Sequence, residues 1–223
     1  PSISKVIAEQ SANLIHTSNI YRIPLQEKLA EKLVSHSGMD NVFFCNSGAE
    51  ANEAAIKLTR LHAHKQKITD PVILVMHNSF HGRTMATISA TGSSKAHQGF
   101  EPLLSGFKHI AFNDIEALES SVNAIENIVA IMVEPIQGEG GIVIPNKNYL
   151  KTIRSICDKN NLLMIVDEVQ TGMCRTGRWF AFQHEKILPD IMTIAKALGN
   201  GVPIGACLAR GKSAKFFQAG SHG

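Results

Sequence analysis

Leu25, Leu29 and Leu33 fall at i, i+4 and i+8, which places them on one face of a helix over residues 24–36. Pro24 suits the first turn of that helix, and Gly38 follows its end. Residues 3–15 also read as a helix. Val42–Cys45 is a short apolar run and predicts a strand. Ala49–Leu61, rich in Ala, Glu and Leu, predicts a helix. Further apolar runs at Val72–Met76, Ile128–Val133, Leu162–Val166, Ile191–Ile194 and Ile204–Ala209 predict strands. Helices are expected between or after them at Ile115–Val122, capped by Asn113 or Asp114, at Tyr149–Lys159 and at Ser213–Gln218. A long polar loop follows Val166, and no internal repeat or low-complexity run interrupts the alternation.

Strands alternating with helices predict an α/β fold, a mostly parallel central sheet with helices on both faces. Ligands in such sheets bind beyond the carboxyl ends of the strands, so the residues after each strand matter most. Asn46-Ser47-Gly48 follows Cys45, and His77-Asn78-Ser79-Phe80-His81-Gly82-Arg83 follows Met76. Glu134 follows Val133 and leads to Gly138-Glu139-Gly140-Gly141. Asp167-Glu168-Val169-Gln170 follows Val166, and Ala195-Lys196 follows Ile194. Small, polar or ionisable residues end every strand, which predicts a site built from several loops on one sheet edge.

Composition narrows the class. The 223 residues suffice for one large α/β domain or two small ones, and 44% apolar against 18% charged residues is a globular profile. A net charge of +3 gives no reason to expect nucleic acid or a membrane surface as partner. The apolar runs fall far short of the roughly 20 residues a spanning helix needs. Cys45, Cys157, Cys174 and Cys207 are scattered and form no C-x-x-C, so free thiols in a reducing compartment are expected rather than a disulfide scaffold or a zinc site. No secretory signal is visible. The chain starts at Pro1 without Met and stops in Gly220-Ser221-His222-Gly223, so a piece of a longer chain is expected.

Asn46-Ser47-Gly48-Ala49-Glu50 joins a strand to a helix. Its unpaired amides could hold a phosphate, or Ser47 and Glu50 could form an ordinary capping box. Asp167 after an apolar run suits either the metal-binding strand of a nucleotide triphosphatase or a salt bridge to a pyridinium nitrogen. The first needs G-x-x-x-x-G-K-[ST]. The nearest candidate, Gly205 to Ser213, has five residues between its glycines and lies after the Asp strand, so that reading fails. Lys196 is either a surface lysine or, among Gly199, Gly201 and Gly205, an amine placed to form a Schiff base with an aldehyde. Phe80 is core packing or a plate for a cofactor ring. Arg83 is a solvated charge or a fork for a substrate carboxylate. His77 and His81 share an i, i+4 spacing but lack a helix and a third ligand, so no metal site is expected. Lys57, Arg60, His62, His64, Lys65 and Lys67 read as a solvated helix face.

Five motifs in order carry a resemblance through nearly the whole chain. They are Ser47-Gly48-Ala49-Glu50-Ala51-Asn52-Glu53-Ala54, Phe80-His81-Gly82-Arg83-Thr84, Glu134-Pro135-Ile136-Gln137-Gly138-Glu139, Asp167-Glu168-Val169-Gln170-Thr171-Gly172, and Pro189-Asp190 leading to Ala195-Lys196. The chain resembles the class III, fold-type I aminotransferases that use pyridoxal 5'-phosphate. Within them it looks most like the acetylornithine branch, with the ornithine and 4-aminobutyrate branches as near neighbours.

The resemblance implies a role for each matching residue. Lys196 would hold the cofactor as a Schiff base and shuttle the proton, and Asp167 would pair with the ring nitrogen. Gln170 would bond the ring hydroxyl, Gly48 and Ala49 the phosphate, and Phe80 would stack on the ring. Ser47, Glu134 and Val169 would complete the cofactor-binding set, Glu134 by supporting the loop behind it. Arg83 would grip the substrate α-carboxylate, and Glu139 would let an amine donor and 2-oxoglutarate share one site. The resemblance further implies a cytoplasmic homodimer of arginine biosynthesis that takes N-acetylornithine, succinyl-diaminopimelate or ornithine as donor. Residues 1–40 would belong to a small domain or linker and 41–223 to the cofactor-binding domain. That domain would stop before a further small domain, before a Thr or Ser that reaches the partner's cofactor phosphate, and before an arginine that engages Glu139. Another pyridoxal enzyme of this fold, or a non-catalytic module that only dimerises, are the competing readings.

Overall fold

The computed structural model describes residues 2–18, 20–218 and 220–222. In chain order the elements are α1 (Ser2–Asn13), α2 (Pro24–Ser37), β1 (Asn41–Cys45), α3 (Gly48–Lys65), β2 (Val72–Met76), α4 (Met85–Ala90) and α5 (Ser94–His97). They continue with β3 (Phe107–Ile110), α6 (Ile115–Ala124), β4 (Ile128–Val133), α7 (Tyr149–Asn160), β5 (Leu163–Asp167), β6 (Ile191–Ile194) and β7 (Gly205–Ala209). The strands form one seven-stranded sheet in the order β1-β7-β6-β5-β4-β2-β3. The pairs from β3 across to β6 are parallel, whereas β7 is antiparallel to both β6 and β1. Only β7 therefore runs against the rest, and the expected mostly parallel α/β sheet is found.

Two cores lie on the two faces of this sheet. Alternate residues of a strand point to opposite faces. In β2, Leu74 and Met76 join Leu33 of α2, Leu118 of α6 and Ile153 of α7, while Ile73 and Val75 join Ala55 and Leu58 of α3 and Ala86 and Ala90 of α4. The pairing of β2 with β4 slips one residue between Val72 and Ile73, so Val129 and Ala130 both face the α3 side. Burial on both faces explains why these strands read as unbroken apolar runs.

Local chemistry sets the helix ends. Pro24 opens α2, and Gly38 closes it at φ +75° with its N–H on the Val34 carbonyl. Asp114, not Asn113, caps α6 by accepting the Ala117 N–H at 2.9 Å. On α2, Leu33 is buried, whereas Leu25 at the head of its stripe is 61% exposed. No residue of α1 is buried.

Some expectations need correcting. The helix expected over Ser213–Gln218 is only a 3-10 turn at Ser213–Lys215, because Phe216 and Phe217 turn away to pack on His62 and Phe43. His62 is no part of a solvated face. It is 5% exposed, its ring lies 5.0 Å from that of Phe216, and its Nε2 meets the Gln66 amide at 2.7 Å. The strand β3 and the short helices α4 and α5 lie where the apolar pattern predicts no element. All four cysteines are free. Among the described residues no helix is long and apolar enough to cross a membrane, and no group of three or more His, Cys, Asp or Glu side chains could hold a metal ion.

Candidate active site

The loops beyond β1, β2, β4, β5 and β6 surround a cleft of about 470 Å³ at the carboxyl edge of the sheet. Every candidate residue lines it: Ser47, Gly48 and Ala49 from the turn into α3, Phe80 and Arg83 after β2, Glu134 and Glu139 after β4, Asp167, Val169 and Gln170 from β5 and its loop, and Lys196 after β6.

The turn into α3 carries a side-chain cap and stands at the cleft. Ser47 caps the helix, accepting the Glu50 N–H at 3.1 Å. The reciprocal half of the expected capping box is displaced by one residue. The Glu50 carboxylate takes the Asn46 N–H at 2.8 Å and the Asn46 amide at 2.9 Å instead of the Ser47 N–H. The first-turn amides of Gly48 and Ala49 have no partner inside the helix and sit at the cleft. A Cβ on Gly48 would lie 2.8 Å from Cγ1 of Val169, so only glycine lets α3 start this close to the β5 loop.

Asp167, 3% exposed, ends β5 in a closed hydrogen-bond network. Its Oδ2 accepts from the Asn52 amide and from His81 Nδ1, each at 2.8 Å, and its Oδ1 accepts the Val169 N–H at 3.0 Å. Asn52 is held in turn: its Oδ1 accepts the Thr193 hydroxyl at 2.7 Å and its Nδ2 also donates to the His81 carbonyl at 2.8 Å. Burial opposes charge on His81, but the hydrogen bond and charge of Asp167, joined by Glu134, outweigh it and raise the imidazole pKa. His81 Nε2 is buried and unpartnered. His81 is thus committed to Asp167, and His77 lies exposed beside the ring of His109.

Neither Asn52 nor His81 was assigned to the site by sequence reasoning. A signal existed for Asn52, which shares a helix face with Ala55, Ile56 and Thr59 at i+3, i+4 and i+7. A polar residue on a buried face requires a partner.

The Asp-Glu pair splits its duties. Glu168 turns inward, accepting the Thr171 hydroxyl at 2.5 Å and the Phe182 N–H at 2.9 Å, and burial pushes its carboxyl pKa up. Glu134 ties two cleft loops, accepting Phe80 N–H at 3.0 Å and Gly138 N–H at 3.3 Å. Burial raises its pKa to about 7. The Lys196 amine donates to the Gln170 side-chain carbonyl across the cleft, from a backbone at φ +41° that a non-glycine residue seldom adopts. Phe80 is half-buried at the wall, the Arg83 guanidinium carbon lies 5.9 Å from its ring centre, and Arg83 and Glu139 are both exposed at the mouth.

A buried carboxylate, a strand-end lysine, a flat aromatic wall and a helix N-terminus around one cleft match the fold and motifs of one family. The sequence model of the class-III aminotransferases matches residues 1–223, and the chain belongs to that family. Among its relatives, the acetylornithine aminotransferase of Nitrosomonas europaea is 57% identical over 222 residues, covering 100% of this chain and 56% of that protein. The acetylornithine aminotransferase of Methanocaldococcus jannaschii is 52% identical over 224 residues, with 100% and 56% coverage. The chain therefore spans about 56% of the length of these relatives. Among solved structures, the ornithine aminotransferase of Toxoplasma gondii superposes with a TM-score of 0.94 at 34% identity over 99% of this chain and 53% of its own. A structure of that parasite enzyme has pyridoxal phosphate at partial occupancy in its active site. The N-acetylornithine aminotransferase of Stenotrophomonas maltophilia gives a TM-score of 0.83 at 40% identity, covering 98% of this chain and 54% of its own.

Proposed function

We propose that this chain is the cofactor-binding part of a pyridoxal-phosphate-dependent aminotransferase that moves an amino group from N-acetylornithine to 2-oxoglutarate. The observation that carries the reading is the cleft, with the Asp167 carboxylate, the Lys196 amine and the first turn of α3 on its walls. These groups fit the cofactor by their chemistry. Asp167 is an acceptor for a protonated ring nitrogen, Lys196 an amine for an aldehyde, and Gly48 and Ala49 offer N–H groups for a phosphate. When bound, pyridoxal phosphate supplies an aldehyde that joins amines covalently and an electron-poor ring that stabilises negative charge on the adjoining carbon.

The chain's own residues do the rest. Asp167 would keep the ring nitrogen protonated, and Asn52, His81 and the Val169 N–H orient that carboxylate through bonds of 2.8–3.0 Å. Lys196 would hold the cofactor through Nζ, and its amine, at the cleft wall, would serve as the group that takes up and gives back the substrate proton. Gln170, the hydrogen-bond partner of Lys196, would take the ring hydroxyl, and Phe80 and Val169, on the walls of the cleft, would help to hold the ring. Arg83 grips the substrate carboxylate, and Glu139 adapts the mouth to donor or acceptor.

The acetylornithine assignment is supported by relatives of that name at 57% and 52% identity, against 34% for the ornithine aminotransferase of Toxoplasma gondii. It carries with it a place in arginine biosynthesis, a homodimer whose partner completes the phosphate site, and a cytoplasmic location. Of the proposed division into residues 1–40 and a cofactor domain of residues 41–223, only α1, which buries no residue, supports a separate segment, whereas α2 packs Leu33 into the core of the sheet. The test is amino transfer to 2-oxoglutarate by the full-length protein, with N-acetylornithine, ornithine and 4-aminobutyrate as competing donors. Preference for N-acetylornithine supports the assignment. Equal or greater efficiency with another donor overturns it, and decarboxylation without amino transfer overturns the reaction class.

A further inference from the structure

Arg83 stands on a loop that helix α3 holds on both sides. Asn52 donates to the His81 carbonyl at 2.8 Å. Gly82, at φ +140°, lies so close that a Cβ there would be 2.9 Å from Cβ of Ala49. On the far side of Arg83, a single oxygen of Glu53, Oε1, accepts from three donors: the Thr84 hydroxyl, the Ala86 N–H at 3.2 Å and the Thr87 N–H at 3.4 Å. Glu53 thus caps α4 from a different helix, and its half-buried carboxylate faces the positive end of the α4 peptide dipoles. Thr84 and Thr87 also bond to one another at 2.7 Å, so the cap seizes the whole first turn.

We propose that Glu53 is a positioning residue for Arg83, fixing the Thr84 joint so that the guanidinium faces the cleft at one angle. The inference rests on the reading of Arg83 as the grip for a substrate carboxylate. Arg83 is exposed and reaches the cleft mouth beside Phe80. Its direction is set by the backbone it leaves from, and that backbone is anchored at His81, Gly82 and Thr84 by residues of α3. A carboxylate accepting all three donors holds the joint better than a neutral acceptor, because bonds to an ionised oxygen are shorter and stronger. Glu53 also keeps the carboxylate grip in register with the amides of Gly48 and Ala49, one helical turn earlier on α3.

The experiment measures the dissociation constant of glutarate, a dicarboxylate with no amino or keto group to react. It uses the full-length protein loaded with pyridoxal phosphate and reads the change in visible absorbance. The proteins compared are wild type, Glu53→Gln, Glu53→Ala, Arg83→Lys and the double variant Glu53→Ala/Arg83→Lys. Glu53→Ala is expected to weaken glutarate about 5- to 10-fold and Glu53→Gln about 2- to 3-fold, with cofactor affinity and unliganded spectrum unchanged. In the Arg83→Lys background, Glu53→Ala should change binding by less than about 2-fold, since its effect passes through the arginine.

Equal weakening in both backgrounds, no weakening, or loss of cofactor from the Glu53 variants overturns the proposal. If Glu53→Ala does not fold, Glu53→Gln alone and combined with Arg83→Lys supplies the same comparison. If Arg83→Lys weakens glutarate and Glu53→Ala does not, only the role of Glu53 falls. If Arg83→Lys itself leaves glutarate binding intact, the assignment of Arg83 falls and that of Glu53 with it.

Discussion

Replacing Asp167 by Asn removes one charge and changes almost nothing in shape, yet the network around it dictates a particular outcome. The new amide has one oxygen and one NH₂ for two sites. The Oδ2 site faces two donors, the Asn52 amide and His81 Nδ1. Asn52 cannot turn its amide over without losing its bonds to the Thr193 hydroxyl and the His81 carbonyl. The oxygen of the new amide must therefore take the Oδ2 site, leaving its NH₂ against the Val169 N–H that now bonds Oδ1 at 3.0 Å. One mismatched buried donor pair costs about 1–3 kcal/mol of stability, readable as a lowered thermal midpoint.

The chemical loss is larger. A neutral amide cannot keep a ring nitrogen protonated, and losing one partner of a buried charge pair costs about 3–5 kcal/mol. Amino transfer should then slow roughly 150- to 5,000-fold with cofactor still bound. Stopped-flow measurement of the donor half-reaction in the full-length protein is the assay. Turnover within about 10-fold of wild type would refute the reasoning and reduce Asp167 to a structural carboxylate that happens to line the cleft.

Lys196→Ala should abolish covalent attachment of the cofactor. Borohydride reduction and peptide mapping of the wild type should put the label on Lys196 and on no other lysine. Arg83→Lys exchanges a two-pronged grip for a point charge, so kcat/KM in both half-reactions should fall roughly 10- to 150-fold with the visible spectrum unchanged. Glu134, raised by burial to about 7, binds a proton in the folded state that it lacks unfolded between its ordinary value and pH 7. Its contribution to stability is therefore full at acid pH and declines as pH rises through about 7. His81, raised as well, acts in the same direction. Glu134→Gln in the cofactor-free protein should flatten the loss of stability between about pH 5 and 8 by about 3 kcal/mol, read from denaturant midpoints at each pH. An unchanged slope would remove Glu134 from this role.

Much of the site was legible in the chain because its residues terminate apolar runs. Leu162–Val166, and Ile191–Ile194 apart from Thr193, are apolar because helices cover both faces of the sheet, and the residues after such a run must stand at a strand end. That pattern by itself places Asp167 and Lys196 on one edge, and the strand-to-helix turn places Ser47, Gly48 and Ala49 there too. The edge strand β3 was not legible. Of its four residues only Ile110 is buried, and Lys108 and His109 interrupt any apolar run. Nor was the direction of β7 legible, since an apolar run records burial and not polarity.

The partners of Asp167 were decided by tertiary structure alone. Asn52 lies 115 residues before it, His81 86 residues before it, and Thr193 is 141 residues beyond Asn52. Apolar periodicity is a local consequence of which side of an element meets the core. The satisfaction of a buried polar group depends on which distant element folds over it. Had α3 docked one turn further along the sheet, Asn52 would no longer face Asp167, and nothing in the local pattern of either segment would record the difference.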